Sequence, residues 1–179
     1  MTSAVASENA GVKLAVLRIG SAVYALDVAH VREVVRWQAI TPLPVAPQLI
    51  EGVIDLRGAV VPVIDLARAL GAGAVAARPG ARIAIVESDG LVMGLAVDAA
   101  VEVMSVDATA LEDPPALVTQ AGYDAVRAVV RRKDGAPALV LSLEHILESV
   151  YRSALTRPAG QQASRSEPQA SGDQQEDAA

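Results

Sequence analysis

The 179 residues carry a formal net charge of −6 and contain no cysteine. This excludes a disulfide framework, a thiol nucleophile, an iron–sulfur cluster and any Cys-based zinc site, and it argues against a nucleic-acid-binding surface. Hydrophobic residues make up 52% of the chain, aromatics only 2%, and Phe is absent, so the core has to be built from Val, Leu, Ile and Ala, which suit close-packed strands better than a roomy ligand cavity.

Residues 1–11 lack the basic start and apolar stretch of a signal peptide and read as a short disordered lead-in. From Val12 a strand carrying Leu14, Val16 and Ile19 runs to a Gly20-Ser21 turn, and Ala22 to Leu26 returns as the second arm of a hairpin. Val28 to Trp37 reads as a short helical turn leading into a strand. Pro42, Pro44 and Pro47 remove three backbone donors and fix three φ angles, so residues 41–47 form an extended loop. Gly52 to Leu56, the turn Arg57-Gly58 and Ala59 to Ile64 form a second hairpin. Asp65 caps a short helix with Leu66 and Leu70 on its apolar face, and Gly71 ends it.

Residues 71–80 are rich in Gly and Ala without periodicity and read as a linker between two halves. Arg82 to Glu87, an Asp89-Gly90 turn and Leu91 to Val97 form the next hairpin, and Val101 to Met104 is a further strand. Asp113-Pro114-Pro115 marks a loop. Ala125 to Val130, a turn around Asp134-Gly135 and Ala138 to Leu141 form the last hairpin. Ser142 caps a helix whose Leu143, Ile146, Leu147 and Val150 follow helical spacing. Residues 156–179 offer nothing that could offset the entropy of ordering and read as a disordered tail.

The two halves resemble each other. The stretch from Gly58 to Leu70 aligns with that from Gly135 to Leu147: glycine turn, apolar strand, capping residue, helix. A weaker match pairs Leu26, Val28, Glu33 and Val34 with Leu95, Val97, Glu102 and Val103. The expectation is a mainly β fold of two five-stranded lobes sharing an apolar seam, one over about 12–70 and the other over about 81–155.

No reactive constellation stands out. His30 and His145 lie in opposite halves without a ligand cluster around them, which favours structural or solvated roles over metal binding. Asp27, Asp65 and Asp98 make no convincing acid/base set. Gly71-Ala72-Gly73 lacks the Lys-Ser/Thr sequel of a phosphate loop, and no Gly-x-Ser-x-Gly elbow is present. Trp37 suits either a hot-spot anchor or a partly buried core edge.

Several ordered segments together resemble the CheW-like domain family. They are Glu33-Val34, Ile40-Thr41-Pro42-Leu43-Pro44, Ala46-Pro47, Glu51 to Gly58 and Val61 to Leu66. In the second half they are Val86-Glu87, Gly94 to Asp98 and Val101 to Val103. The resemblance spans roughly Val12 to Tyr151. It implies a pair of SH3-like barrels without an active site or cofactor, bridging the cytoplasmic tips of methyl-accepting chemoreceptors to the regulatory domain of a CheA-type histidine kinase. It further implies a cytoplasmic location at receptor arrays near the inner membrane, without insertion into it. An acidic residue and an arginine of the first lobe match Glu33 and Arg57, with Val31, Thr41 and Gly58 in the same partner-binding region. Ile85 and Met104 are expected at a receptor-facing groove. Asp55 stands where the family usually has Asn. From the residues themselves, Glu33 and Arg57 could form an ion pair that shapes the surface, while a solvated Arg57 on an ordinary turn is the plainer reading. A CheW-like adaptor of a pili, biofilm or gene-regulating pathway is the first alternative, and an uncharacterised β-barrel enzyme the second.

Overall fold

Strand after strand in this chain is apolar at consecutive positions, and the three-dimensional arrangement gives each of the two faces somewhere to go. The computed structural model describes residues 11–44, 46–116, 124–133 and 135–155. Of the ends read as disordered, 1–11 and 156–179, all but Gly11 lie outside this range, as does the Asp134 half of the last turn.

The strands are β1 (Val12–Ile19), β2 (Ala22–Asp27), β3 (Val31–Arg36), β4 (Ile50–Leu56), β5 (Ala59–Asp65), β6 (Arg82–Ser88), β7 (Leu91–Val97), β8 (Ala99–Val106), β9 (Leu111–Glu112), β10 (Val126–Val130) and β11 (Ala138–Leu141). A short helix α1 (Leu66–Ala69) follows β5, and α2 (Leu143–Leu155) follows β11. As expected, the fold is mainly β, with two packed SH3-like barrels. Barrel I has strand order β3-β6-β7-β5-β4; barrel II has order β8-β1-β2-β11-β10, extended by the two-residue β9.

The barrels do not follow the division into 12–70 and 81–155. The hairpin β1–β2 of the first half pairs with β8 and β11 of the second, and the hairpin β6–β7 of the second half pairs with β3 and β5 of the first. The internal repeat survives in exchanged form: β1, β2, β8, β10 and β11 of barrel II occupy the places of β6, β7, β3, β4 and β5 in barrel I. Each barrel accordingly holds one parallel pair, β5 with β7 and β11 with β2, and each is followed by a helix.

This exchange explains the two-sided burial. In β6, Ile83 and Ile85 point into barrel I with Ile54, Val61, Val63 and Ala96. The alternate residues Ala84 and Val86 face a central seam with Leu17, Leu26, Leu66, Leu95, Leu141 and Ile146. Barrel II has its own interior of Leu14, Ala25, Ala128, Val130, Ala138 and Val140. Because side chains alternate along a strand, a strand buried on both faces reads as a continuous apolar run.

The 71–80 segment is strapped down. Asp65 is 2% exposed; its Oδ1 accepts from Arg68 N at 3.0 Å and its Oδ2 from Val75 N at 2.9 Å. It therefore caps α1 and anchors the segment, and Val75 packs against both the seam and the barrel I interior. At the far end Arg78 pairs with the buried Asp98, whose Oδ2 also accepts from Gly20 N at 2.6 Å.

Candidate functional site

Barrel I closes where its two edge strands, β3 and β4, approach each other. The β4–β5 hairpin turns on Arg57 (φ 54°) and Gly58 (φ 85°), the double positive-φ geometry of a two-residue type I′ turn. Asp55 Oδ1 accepts from Gly58 N at 2.8 Å. The bond needs only an acceptor oxygen, so Asp serves there as Asn would. Glycine takes such a φ freely, whereas an arginine does so against a steric cost.

The held guanidinium reaches across to β3. Arg57 donates to Glu33 through both nitrogens, Nη1 to Oε1 at 3.0 Å and Nη2 to Oε2 at 2.8 Å. Both plain readings of Arg57 hold in part: its side chain is 77% exposed, yet it is bidentately paired to a Glu33 only 29% exposed. A bidentate pair fixes the orientation of the guanidinium plane, leaving one edge and its face to solvent. Beside it lies a shallow depression of about 320 Å³ that includes Arg32, Leu56, Val60 and Val92 in its lining. Arg32 is itself tied to Glu87. Val60 is 72% exposed. Sequence reasoning passed over it, although the register signals it: Val61 and Val63 point inward, so Val60 is an apolar residue on the outward face.

Thr41 lies along the outer edge of β4. Its N donates to Val53 O at 2.8 Å, and its O accepts from Val53 N at 2.9 Å. Gly52 permits this approach, since a Cβ there would lie 2.3 Å from Thr41 O. Val31 opens β3 and packs, partly buried, on the seam.

Ile85 points into barrel I. It is 1% exposed inside barrel I, directly across from Glu33 in the β3–β6 ladder, and forms the floor under the Glu33–Arg57 pair. Met104 is separate from it, on β8 of barrel II, partly buried against that barrel's interior. Glu33, Arg57, Gly58 and Ile85 thus come together; Met104 belongs to the opposite barrel.

Around Met104 the first site has a counterpart. Arg132 of the β10–β11 connection donates to Glu102 of β8 at 2.9 Å, and β8 takes the place in barrel II that β3 takes in barrel I. The weaker repeat match that aligned Glu33 with Glu102 was the available signal. The arginines escaped it, because Arg57 directly precedes its glycine while Arg132 lies three residues before Gly135. Val101 and Val103 of β8 are exposed. Nearby, Arg131 donates to Glu112 at 2.6 and 3.2 Å, and this hydrogen bond holds the Glu112 carboxyl below its ordinary value.

Two further polar residues singled out in the sequence, Asp27 and His145, have structural partners. Asp27 accepts from Ala29 N at 2.9 Å and lies 3.7 Å from Arg127. His145 Nδ1 lies 2.9 Å from Ser142 Oγ, at the start of α2. Trp37 is half-buried against barrel I. Among the described residues no group of three or more His, Asp or Glu could hold a metal ion, and no helix is long and apolar enough to cross a membrane.

Comparison with known proteins agrees with this architecture. A family model described as "CheW-like domain" matches residues 13–151. The chain is 31% identical to the chemotaxis protein CheW of Rhizobium meliloti over 148 residues, covering 82% of this chain and 94% of that one. It is 28% identical over 141 residues to the protein FrzA of Myxococcus xanthus, covering 78% and 88%. Among solved structures, the scaffolding protein TtCheW from Thermoanaerobacter tengcongensis superposes with a TM-score of 0.68 at 36% identity, covering 76% of this chain and 87% of that one. With the paired barrels, the exchanged hairpins and a family match over 13–151, the chain belongs to the CheW-like domain family.

Proposed function

We propose that this protein is a scaffold that couples chemoreceptors to a CheA-type histidine kinase by protein–protein binding. The observation that carries the reading is the Arg57 hairpin: a guanidinium held at fixed orientation by Glu33, beside the exposed Val60, on a rigid type I′ turn. An oriented arginine next to exposed apolar surface is the composition of an interface anchor. Val31, Glu33, Thr41, Arg57 and Gly58 form this surface, with Ile85 supporting it from inside, and it receives the kinase's regulatory domain. A groove between the barrels receives the helical tip of the receptor, which requires apolar side chains with a polar rim. Met104 and the Glu102–Arg132 pair give barrel II a comparable surface, so one molecule contacts partners at both ends. Signal passes as differential binding within the assembly, without covalent chemistry in this chain. In this reading the protein works in the cytoplasm, at receptor arrays.

The test is a pull-down of the full chain with a CheA-type kinase and with a receptor signalling fragment, singly and together. Retention of both, and loss of the kinase on charge reversal at Arg57, is expected. Binding to neither refutes the reading.

A further inference from the structure

We infer that the acidic end of this chain, residues 166–179, docks on a cationic notch at the end of the β3–β6 ladder. Arg36 and Arg82 are direct cross-strand partners there. Side chains directly opposite each other on an antiparallel pair share a face a few ångströms apart, and like charges in that position oppose strand pairing. Neither arginine has a carboxylate partner among the described residues, whereas Arg32, Arg57, Arg68, Arg127, Arg131 and Arg132 each do. Arg82 is held in place by carbonyls, its Nη1 donating to Pro79 O at 3.0 Å and Ala81 O at 2.8 Å.

The two guanidinium groups belong to a depression of about 340 Å³ lined by Arg36, Trp37, Arg78, Pro79, Ala81 and Arg82, with no acidic lining residue. Arg78 is already neutralised by Asp98, which leaves two uncompensated cations beside the half-buried indole. Such a site in a chain of net charge −6 attracts carboxylates, and two adjacent guanidinium groups offer fork donors to more than one of them.

The chain supplies the matching segment. Residues 166–179 carry Glu167, Asp173, Glu176 and Asp177 and no Lys or Arg. The 24 residues beyond Leu155 reach about 80 Å when extended, against a radius of gyration of about 15 Å for a folded body of this size. Tethering gives the segment a local concentration on the order of millimolar, enough to populate a contact too weak to form between separate molecules at ordinary concentration.

Trp37, the only tryptophan, reports on the notch directly. In the full chain, acrylamide quenching of Trp37 is compared with that of E167Q/D173N/E176Q/D177N, of R36Q/R82Q and of the combination. Neutralising the tail is expected to raise the quenching constant. The difference should disappear at about 0.5 M salt, where charges are screened beyond about 4–5 Å. The combined variant should show no more of it than one set alone. The tail substitutions alter none of the contacts described above, so this arm leaves the barrels' own packing unchanged. An unchanged quenching constant after tail neutralisation overturns the inference. So do additive effects of the two sets, or protection that grows with protein concentration, which would mean docking onto a second copy.

Discussion

Replacing Arg57 with Asn separates the stability of the barrel from its capacity to bind. Arg57 sits at φ 54°, where an ordinary L-residue is disfavoured by about 1–2 kcal/mol and Asn is tolerated several-fold better. Arg57→Asn relieves part of that cost. It also removes the pair with Glu33, which at 77% exposure of the arginine side chain contributes about 0.2–1 kcal/mol. The two effects have opposite sign and similar size, so urea denaturation should give an unfolding free energy within about 1 kcal/mol of the parent, with unchanged m-value. Binding to the kinase regulatory domain, measured by titration calorimetry, should weaken at least about tenfold, or 1.4 kcal/mol, as for a truncated arginine anchor. Glu33→Gln keeps the guanidinium but loosens its orientation, so its binding loss should be smaller than that of Arg57→Asn. A stability loss above about 2 kcal/mol would mean the pair holds the barrel shut. Unaltered binding by Arg57→Asn would remove the hairpin from the interface.

Gly94→Ala should destabilise the protein by about 1–3 kcal/mol through overpacking, because its Cβ would lie 2.6 Å from Ile83 Cγ2 and 3.4 Å from Val63 Cγ2; Gly94→Ala with Ile83→Leu, which drops the Cγ2 branch at nearly constant volume, should recover part of that loss in the same denaturation assay. Asp98→Ala strands Gly20 N and Arg78 and should cost about 1–3 kcal/mol, while Asp98→Asn, which keeps an acceptor for Gly20 N, should cost less. The Glu112 carboxyl should titrate below ordinary glutamates in an NMR pH series and return toward them in Arg131→Gln. A depressed carboxylate pKa makes any contribution of this exposed pair present above the unfolded value near 4.5 and lost as pH falls through the folded one, so the loss of stability in Arg131→Gln should be small, largest at neutral pH, and absent in acid, where parent and variant converge.

Local features of the fold were legible because local chemistry decides them. Two-residue turns at Arg57-Gly58 and Asp89-Gly90 need positive φ and show it. The Asp65 cap follows from a carboxylate placed before an apolar helix face. Strand partners were not legible, because an apolar strand carries no mark of which barrel it joins. The repeat suggested that each half folds on itself, whereas pairing β1–β2 with β8 and β11 lets the first half's hairpin bury one face in barrel II and the other against the seam. A sequence pattern fixes alternation within a strand, and exchange of hairpins between lobes leaves that alternation untouched.

The same limit governs the site. Glu33 and Arg57 lie 24 residues apart, and their meeting follows only from closure of barrel I between its edge strands. The inward turn of Ile85 was not legible, because a strand buried on both faces gives no periodic sign of which face is outer. Its neighbours Ala84 and Val86 are as apolar as it is, and only the ladder to β3 turns Ile85 inward beneath Glu33. The course of the linker was hidden for a related reason. Residues 71–80 are locally featureless, but Asp65 and Asp98 each direct a buried carboxylate at them. A buried carboxylate needs donors, so these two residues determine where the segment must run, and neither constraint is written in the segment itself.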